Sequence, residues 1–206
     1  PGTAGMMEWT AFEDQARAEG YTCICGIDEA GRGPLAGPVY AAAVVLRPGQ
    51  VIEGVNDSKK LSEKKREALF DTICSQCAAY GIGSATEKEI DEINILNATY
   101  LAMQRAVAAL PVQPDCALVD GNRAPDLPLE VRTIIKGDAQ SASIAAASIL
   151  AKVSRDRYML QMAEKYPQYA FEKHKGYGTK LHYERLEQYG ISPIHRLSFL
   201  KKWMNR

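Results

Sequence analysis

Short apolar runs along the chain predict five β-strands. These runs are rich in strand-forming residues and are bounded by glycine, proline or charged positions. They are Tyr21 to Asp28, Val39 to Leu46, a run within Ala78 to Ala85, and two runs that end at Asp120 and near Lys136. Residues 29–38, which join the first two runs, contain three glycines and two prolines, and these exclude a regular element. The first two strands are therefore predicted to form an antiparallel pair joined by a shaped loop.

Helical periodicity and capping residues predict two helices between the strands. Ser62 can cap an amphipathic helix over residues 62–77. Thr86 and Glu89 fit a capping box, which opens helical segments that run to Leu110 and stop before a proline.

The last third of the chain is predicted to be mostly helical. From Ser141 the side chains are small, which predicts a helix that packs closely against a sheet. Further on come a loop, His174 to Thr179, a helix that ends at Gly190, and a last amphipathic helix near Phe199 to Trp203.

Together these elements predict an α/β domain on a mixed sheet, with a helical C-terminal part. The length of 206 residues and the 46% hydrophobic content suit one domain with an appendage. We expect residues 1–20 to hold a vector-derived remnant, Pro1 to Gly5, and an N-terminal helix. Residues 21–165 would form the core, and residues 166–206 a basic helical part packed on it.

Acidic residues stand at the ends of three predicted strands. Asp28 and Glu29 end the first, Asp120 ends the fourth, and Asp138 follows the fifth. Such acids can converge at one edge of a sheet, where they repel one another unless a cation lies among them. A divalent-metal site, and with it a nuclease, is therefore the leading hypothesis. Because neighbouring strand residues point to opposite faces, we expect the strand to end at Asp28 and the chain to turn at Glu29.

Composition narrows the class of protein. No apolar run approaches the roughly 18 residues of a membrane span, and no basic region precedes an apolar segment, so we expect a cytoplasmic protein without a membrane partner. The five cysteines, an odd number, favour reduced thiols. A structural zinc at Cys74 and Cys77 with Cys23 and Cys25 is the alternative. It is disfavoured because one pair lies in a helical pattern and the other in a strand pattern.

The zero net charge hides an asymmetry between the two ends of the chain. From Ala151 to Arg206 there are 12 Lys and Arg against 5 Asp and Glu, whereas the rest of the chain is acidic. A basic segment beside an acid cluster suits a polyanion that one part holds and another cuts. A solvated helical face remains the alternative explanation.

Two loops offer groups that could contact nucleic acid. The spacing around Gly31-Arg32-Gly33, and the strand that follows, do not match a dinucleotide fingerprint, but the loop exposes backbone groups that can approach a sugar edge. Tyr177, between two glycines, can stack on a sugar or base, and Lys175 and Lys180 can contact phosphates. The three histidines do not have metal-ligand spacing.

The segment Gly26 to Pro38 resembles the opening motif of ribonuclease HII. Later segments match the family's motifs in the same order: Asp57 to Leu61, Val119 to Asn122, Lys136 to Ala139, Ser143 to Asp156 and His174 to Thr179. The resemblance covers nearly everything from Cys25 to Phe199. It is to the bacterial type HII, since Met6 to Tyr21 leaves no room for the N-terminal substrate-binding domain of ribonuclease HIII.

The resemblance implies a ribonuclease H-like fold, with a mixed five-stranded sheet flanked by helices. It implies a catalytic and metal-binding set of four acids, Asp28, Glu29, Asp120 and Asp138. These would hold two Mg²⁺ or Mn²⁺ ions, about 4 Å apart, that flank the scissile phosphate. The implied activity is cleavage of the RNA strand of RNA·DNA hybrids and nicking 5′ of a single ribonucleotide in duplex DNA. The products would carry 3′-hydroxyl and 5′-phosphate ends.

The resemblance also implies a set of substrate-binding residues. One 2′-hydroxyl would be read by the loop of Gly31, Arg32 and Gly33 together with Tyr177, which would stack on the sugar at the junction. A nearby phosphate would be held by Ser58 and Lys59, and the set is completed by Lys175 and Gly176. His195 and Arg196 fit a family-like pattern without an assigned role.

Two other functions compete with this interpretation. A junction resolvase or integrase of the same superfamily also gathers acids at strand ends. A non-catalytic nucleic-acid-binding module would use only the basic C-terminal part. We expect a monomer without an obligatory protein partner, because a duplex must reach the carboxylate edge.

Overall fold

The structure is a computed structural model that describes residues 8–55 and 58–206. The predicted vector remnant lies outside the described residues, and so does Asp57, the first residue of the motif Asp57 to Leu61. The strands are β1 (Ile24–Ala30), β2 (Val39–Val45), β3 (Ala79–Ala85), β4 (Cys116–Asp120) and β5 (Glu130–Ile134). The α-helices are α1 (Ala11–Ala18), α2 (Glu63–Gln76), α3 (Glu87–Ala108), α4 (Ala142–Lys165), α5 (Phe171–His174), α6 (Lys180–Tyr189) and α7 (Lys201–Met204).

The five strands form one mixed sheet in the order β3-β2-β1-β4-β5. β2 is antiparallel to both β1 and β3, whereas β4 is parallel to β1 and β5 is parallel to β4. This confirms the predicted mixed α/β fold. Since parallel strands share a direction, the C-terminal ends of β1, β4 and β5 meet at one edge of the sheet.

β1 is longer than predicted. It continues past Asp28, because Glu29 and Ala30 pair with Ala41 and Tyr40 of β2. The expectation that the strand ends at Asp28 and turns at Glu29 is therefore wrong. The antiparallel ladder with β2 outlasts the parallel ladder with β4, whose last pair joins Ile27 to Val119. Beyond Ile27, β1 is thus unpaired on the side of β4.

The predicted fifth strand is shorter than expected and is buried only at Ile134. β5 ends at Ile134, and Ile135 is exposed. Lys136, with a φ of 56°, then turns the chain into a 3₁₀ helix, Gly137–Ala139, that carries Asp138. Asp138 therefore belongs to a turn between β5 and α4 rather than to a strand end.

Two long helices cover the two faces of the sheet. Ala41, Ala43 and Val45 of β2 belong to the core cluster that contains α3, whereas Ala42 and Val44 belong to the cluster with α2 and α4. As predicted, the small residues of α4 pack tightly on the sheet. A Cβ atom added at Gly26 of β1 would lie 2.3 Å from the backbone carbon of Ser143.

The helix caps follow the prediction. Ser62 accepts a hydrogen bond from the backbone of Lys65 at the start of α2. The capping box of Thr86 and Glu89 is present, and a non-helical residue, Asn94, divides α3 into two segments.

The C-terminal elements pack against the loop between β1 and β2. Leu35 and Ala36 of this loop share one core cluster with Met159 of α4 and with Tyr169, Phe171, Leu186, Ile194 and Leu200. The last predicted helix is only the four-residue α7, preceded by a 3₁₀ helix, Leu197–Phe199. None of the described helices is long and apolar enough to cross a membrane.

Helix α1 holds the start of α4 through one buried carboxylate. Glu13 Oε2 accepts hydrogen bonds from the hydroxyls of Ser141 and Ser143, both at 2.6 Å, and from the backbone N–H of Ser143 at 3.1 Å. A carboxylate at a helix N-terminus is also favoured by the helix dipole. Glu13 therefore fixes the end of the helix that supports β1.

Replacing Glu13 by Ala should lower the free energy of unfolding by about 1–3 kcal/mol, because it leaves buried hydroxyl groups without an acceptor. Urea unfolding monitored by circular dichroism measures this loss. Asp14→Ala, an exposed change in the same helix, is the control. Equal stability of the two variants would contradict this role for Glu13.

Candidate active site

Three carboxylates meet where β1 and β4 end. One carboxylate oxygen each from Asp28, Glu29 and Asp120 lies within 4.8 Å of the other two. Asp28 and Glu29 are neighbours on one strand, and they share a site because β1 is unpaired toward β4 beyond Ile27. The backbone N–H of Glu29 donates to Asp28 Oδ1 at 2.8 Å, which fixes the first carboxylate.

The fourth predicted acid lies beside this cluster. Asp138 is buried, and its backbone N–H donates to Asp120 Oδ1 at 3.2 Å. Its carboxylate is not among the three that lie within 4.8 Å of one another. The structure thus brings three predicted acids together and places the fourth on the wall of the same cavity.

The electrostatics of the cluster are unfavourable without a cation. Burial raises the pKa of Asp28 well above its usual range, and a hydrogen bond with the Glu29 side chain and the charges of Glu29 and Asp120 raise it further, whereas the Glu29 backbone N–H acts in the opposite direction. Burial also raises the pKa of Asp120, although N–H groups of Asp138 and Gly137 act in the opposite direction. Hard oxygen ligands at this spacing fit a divalent cation, whose charge would remove the repulsion.

A cavity of about 420 Å³ contains the carboxylates and most of the predicted substrate residues. It is lined by nine predicted residues: Asp28, Glu29, Gly31, Arg32, Gly33, Lys59, Asp120, Asp138 and Tyr177. Sequence reasoning missed three further polar residues in its wall, Arg66, Ser148 and Lys152. Ser148 and Lys152 are four positions apart, a spacing that puts two residues on one face of a helix and could have indicated them.

A second cavity of about 470 Å³ adjoins the first and shares Glu29, Arg32 and Asp120 with it. It extends along α3 and also reaches Asn122 and Arg123. Glu29 and Asp120 therefore border two adjoining cavities.

Lys175 and Gly176 are not among the residues that line the cavity. Lys175 Nζ donates to the carbonyl of Glu172 at 2.9 Å and lies 3.5 Å from the carboxylate of Glu63. Gly176 has a φ of +94°, and an added Cβ would lie 2.5 Å from the carbonyl oxygen of Ala36. Ser58 begins the 3₁₀ helix Ser58–Lys60, but its side chain is outside the described part. Substrate contacts by these residues stay predictions.

Tyr177 is held by its backbone, which leaves its ring at the cavity. Its N–H donates to the carbonyl of His174 at 2.9 Å, and its carbonyl accepts from Thr179 N–H at 2.8 Å and lies 2.8 Å from His182 Nδ1. The Lys152 ammonium lies 5.7 Å from the ring centre. An added Cβ at Gly33 would be 3.9 Å from the ring. Tyr177 therefore borders the loop of residues 31–38 between β1 and β2, which we call the glycine loop.

The three histidines, which had no assigned function, form one buried support behind Tyr177. His182 stacks on His174 with ring centres 4.1 Å apart, and its Nε2 lies 2.8 Å from His195 Nε2. Burial lowers the pKa of His182 to about 4 and that of His195 to about 3. Both rings are therefore neutral near pH 7. They form a buried hydrogen-bonded chain that connects His195 through His182 to the carbonyl of Tyr177.

The chain is similar to known proteins in sequence and in fold. The family model described as Ribonuclease HII matches residues 25–202. Ribonuclease HII of Caldicellulosiruptor bescii is 60% identical over 190 residues, which cover 92% of each chain.

Two solved structures share the fold. Ribonuclease H2 from Pyrococcus horikoshii OT3 has a TM-score of 0.72 and 28% identity over 90% of this chain and 100% of that chain. Bst-RNase HIII in complex with Mn²⁺ has a TM-score of 0.69 and 18% identity over 92% of this chain and 71% of that chain. These findings confirm the resemblance seen in the sequence. The chain belongs to the ribonuclease HII family, and it is a hydrolase of the ribonuclease H class.

Proposed function

We propose that the chain cleaves the RNA strand of RNA·DNA hybrids and nicks duplex DNA on the 5′ side of a single embedded ribonucleotide. The products would carry 3′-hydroxyl and 5′-phosphate ends. The observation that carries this proposal is that the three-carboxylate cluster, the glycine loop and Tyr177 line one cavity. A nuclease that recognises one sugar needs its metal-binding carboxylates and its sugar-recognising residues to lie no farther apart than the length of one nucleotide.

In this proposal Asp28, Glu29, Asp120 and Asp138 hold two Mg²⁺ or Mn²⁺ ions. Asp28 would be the ligand shared by both ions, since it is the most buried member of the three-carboxylate cluster. When bound, divalent ions activate a water and stabilise the charge that develops on the leaving oxygen. Without them the acids would repel the phosphate.

The glycine loop is suited to reading a hydroxyl group through its amides. The carbonyls of Gly31 and Arg32 accept hydrogen bonds from Arg196 at 2.6 and 2.9 Å. The N–H groups of Arg32 and Gly33 have no acceptor among the residues that the structure describes. We infer that these amides donate to a 2′-hydroxyl oxygen. A site built for such a bond can reject a sugar without the hydroxyl by roughly 10⁴-fold.

Cationic side chains around the cavity would hold the phosphates beside the scissile one. Lys59 lies in the wall, as does Lys152, whose ammonium is 3.1 Å from Asp156 Oδ1. Ser58 remains a candidate for the same phosphate. In this proposal the enzyme is a cytoplasmic monomer.

The first test is cleavage of a labelled duplex that contains one ribonucleotide, with Mg²⁺, with Mn²⁺ and with chelator, beside an all-DNA duplex. The chain should nick only the ribonucleotide duplex, and only with metal. Asp120→Asn should lower kcat by more than the roughly 10- to 100-fold typical of changing a group that merely orients a metal ligand.

The matched control for that variant is Asp126→Asn, an exposed change in the connection between β4 and β5. Fluorescence anisotropy should show that both variants still bind the duplex. Full activity of Asp120→Asn, or cleavage by the wild type in chelator, would refute the proposal.

Tyr177→Ala should slow cleavage at a single ribonucleotide by about 5- to 150-fold, the loss of one stacking contact worth about 1–3 kcal/mol. The rate of cleavage within a long hybrid should fall less, because such a hybrid contains many ribonucleotides and can be bound and cleaved at several positions. Tyr183→Ala is a matched control, since Tyr177 and Tyr183 are both 37% exposed. An equal loss on both substrates would count against a junction-reading role for Tyr177.

A further inference from the structure

Two arginine side chains are buried beneath the loop of residues 31–38. Arg155 of α4 is 1% exposed and Arg196 is 0% exposed. Neither forms a salt bridge within the described part of the chain. Two buried cations without a direct carboxylate partner are costly, and apolar side chains could have filled the same space. Such a cost calls for a role that only guanidinium groups can fill.

The partners of Arg196 are carbonyls of the glycine loop. Its Nη2 donates to Gly31 at 2.6 Å, its Nη1 to Arg32 at 2.9 Å and its Nε to Gly37 at 2.8 Å. Its backbone N–H donates to the carbonyl of Leu35 at 2.8 Å. One residue from the C-terminal part therefore fixes both ends of the loop between β1 and β2.

Arg155 joins this loop to the loop that carries Tyr177. Its Nη2 donates to Ala36 at 2.7 Å and its Nε to Pro38 at 2.9 Å, while its Nη1 donates to the carbonyl of Lys175 at 2.8 Å. The Arg155 guanidinium carbon lies 5.7 Å from the centre of the Tyr177 ring.

A backbone bond runs beside this bridge, from Leu35 N–H to the carbonyl of Gly176 at 2.8 Å. The glycine loop also rests directly on the Arg155 side chain. Gly31 has a φ of +90°, and an added Cβ would lie 2.2 Å from Arg155 Cδ.

The geometry requires arginine rather than a positive charge alone. A guanidinium presents donors in a planar fork, so one side chain can reach three carbonyls that face it from different directions. A lysine ammonium is a single point on a flexible stem and cannot span them. Burial and the neighbouring Arg155 lower the pKa of Arg196 to about 9, which still leaves it charged near pH 7.

We propose that Arg155 and Arg196 are positioning residues for substrate specificity, and this rests on the proposed function. They tie up the loop carbonyls, so that the amides of Arg32 and Gly33 are the groups left to the 2′-hydroxyl. Arg155 also fixes the distance between this loop and Tyr177, so that the loop amides and the Tyr177 ring contact the same nucleotide. Neither arginine touches the substrate.

The test is a double-mutant cycle on kcat/KM for the duplex with one ribonucleotide. Arg155→Lys should lower kcat/KM by roughly 100-fold, the effect that a misplacement of about 1 Å can have. In a Tyr177→Ala background the same change should cost no more than about tenfold, because the part of its effect that acts through Tyr177 is already lost. Arg157→Lys is the matched control, since Arg157 is on the same helix and pairs at the surface with Glu67 at 2.6 Å.

A purely structural role for Arg155 would produce a different result. The losses from Arg155→Lys and Tyr177→Ala would then multiply, and Mn²⁺ affinity measured by titration would fall with the activity. Multiplying losses, or an Arg155→Lys enzyme as active as Arg157→Lys, would overturn the proposal. If Arg155→Lys does not fold, hydrogen–deuterium exchange in Arg196→Lys tests the positioning role.

Hydrogen–deuterium exchange separates this proposal from the proposed function, because it needs no substrate. The amides of Leu35 and Gly37 donate to Gly176 and Ile194 at 2.8 and 2.9 Å. They should exchange faster in Arg155→Lys or Arg196→Lys than in Arg157→Lys. Unchanged exchange would overturn the positioning role even if the wild type proved inactive on every substrate.

Discussion

Mutual repulsion among three carboxylates is the constraint that the fold has to satisfy. Asp28, Glu29 and Asp120 hold oxygens within 4.8 Å of one another in a partly buried corner, where water screens their charges poorly. Strand pairing and helix packing next to the site hold the carboxylates in place against this repulsion. β1 is paired with β2 through Ala30, and α4 packs so closely on β1 that Gly26 has no room for a side chain. The N–H of Asp138 adds a donor on Asp120. These contacts hold the carboxylates together against their mutual repulsion.

The two buried arginines hold the loop of residues 31–38 and the loop that carries Tyr177 in one conformation. The three glycines of this loop leave its backbone with little conformational preference of its own. Hydrogen bonds from Arg155 and Arg196 engage the carbonyls of Gly31, Arg32, Leu35, Ala36, Gly37 and Pro38. The C-terminal part therefore contributes to the site through its interior. Two of the basic residues that suggest a nucleic-acid surface in the sequence are in fact internal.

That the site's acids lie close together could be predicted, because each one ends a strand-like run that is visible in the local sequence. Acids at the ends of runs that become parallel strands must meet at one edge, and this held for Asp28, Glu29 and Asp120. The length of β1 was not predictable, because it depends on how far β2 continues beside it. Asp138 was expected at a strand end but lies in a turn, since Lys136 leaves the strand conformation.

The arginine supports could not be read from the sequence because their partners are distant along the chain. Arg196 binds carbonyls 159 to 165 positions away. A basic residue in a basic segment is ordinarily expected at the surface. Lys175 shows the converse, because its motif predicted a phosphate contact, whereas its ammonium donates to Glu172 and lies near Glu63. Side-chain direction depends on tertiary neighbours that no local pattern specifies.

The most direct test of the account is the free energy of unfolding of the wild type and of Asp120→Asn at pH 8, in chelator and with Mn²⁺. If repulsion among the acids is the governing constraint, Asp120→Asn should be the more stable protein in chelator. Mn²⁺ should then stabilise the wild type, by about 2.7 kcal/mol at a hundredfold excess over Kd, and stabilise the variant much less. A wild type that is the more stable protein in chelator, or equal stabilisation of both proteins by Mn²⁺, would contradict it.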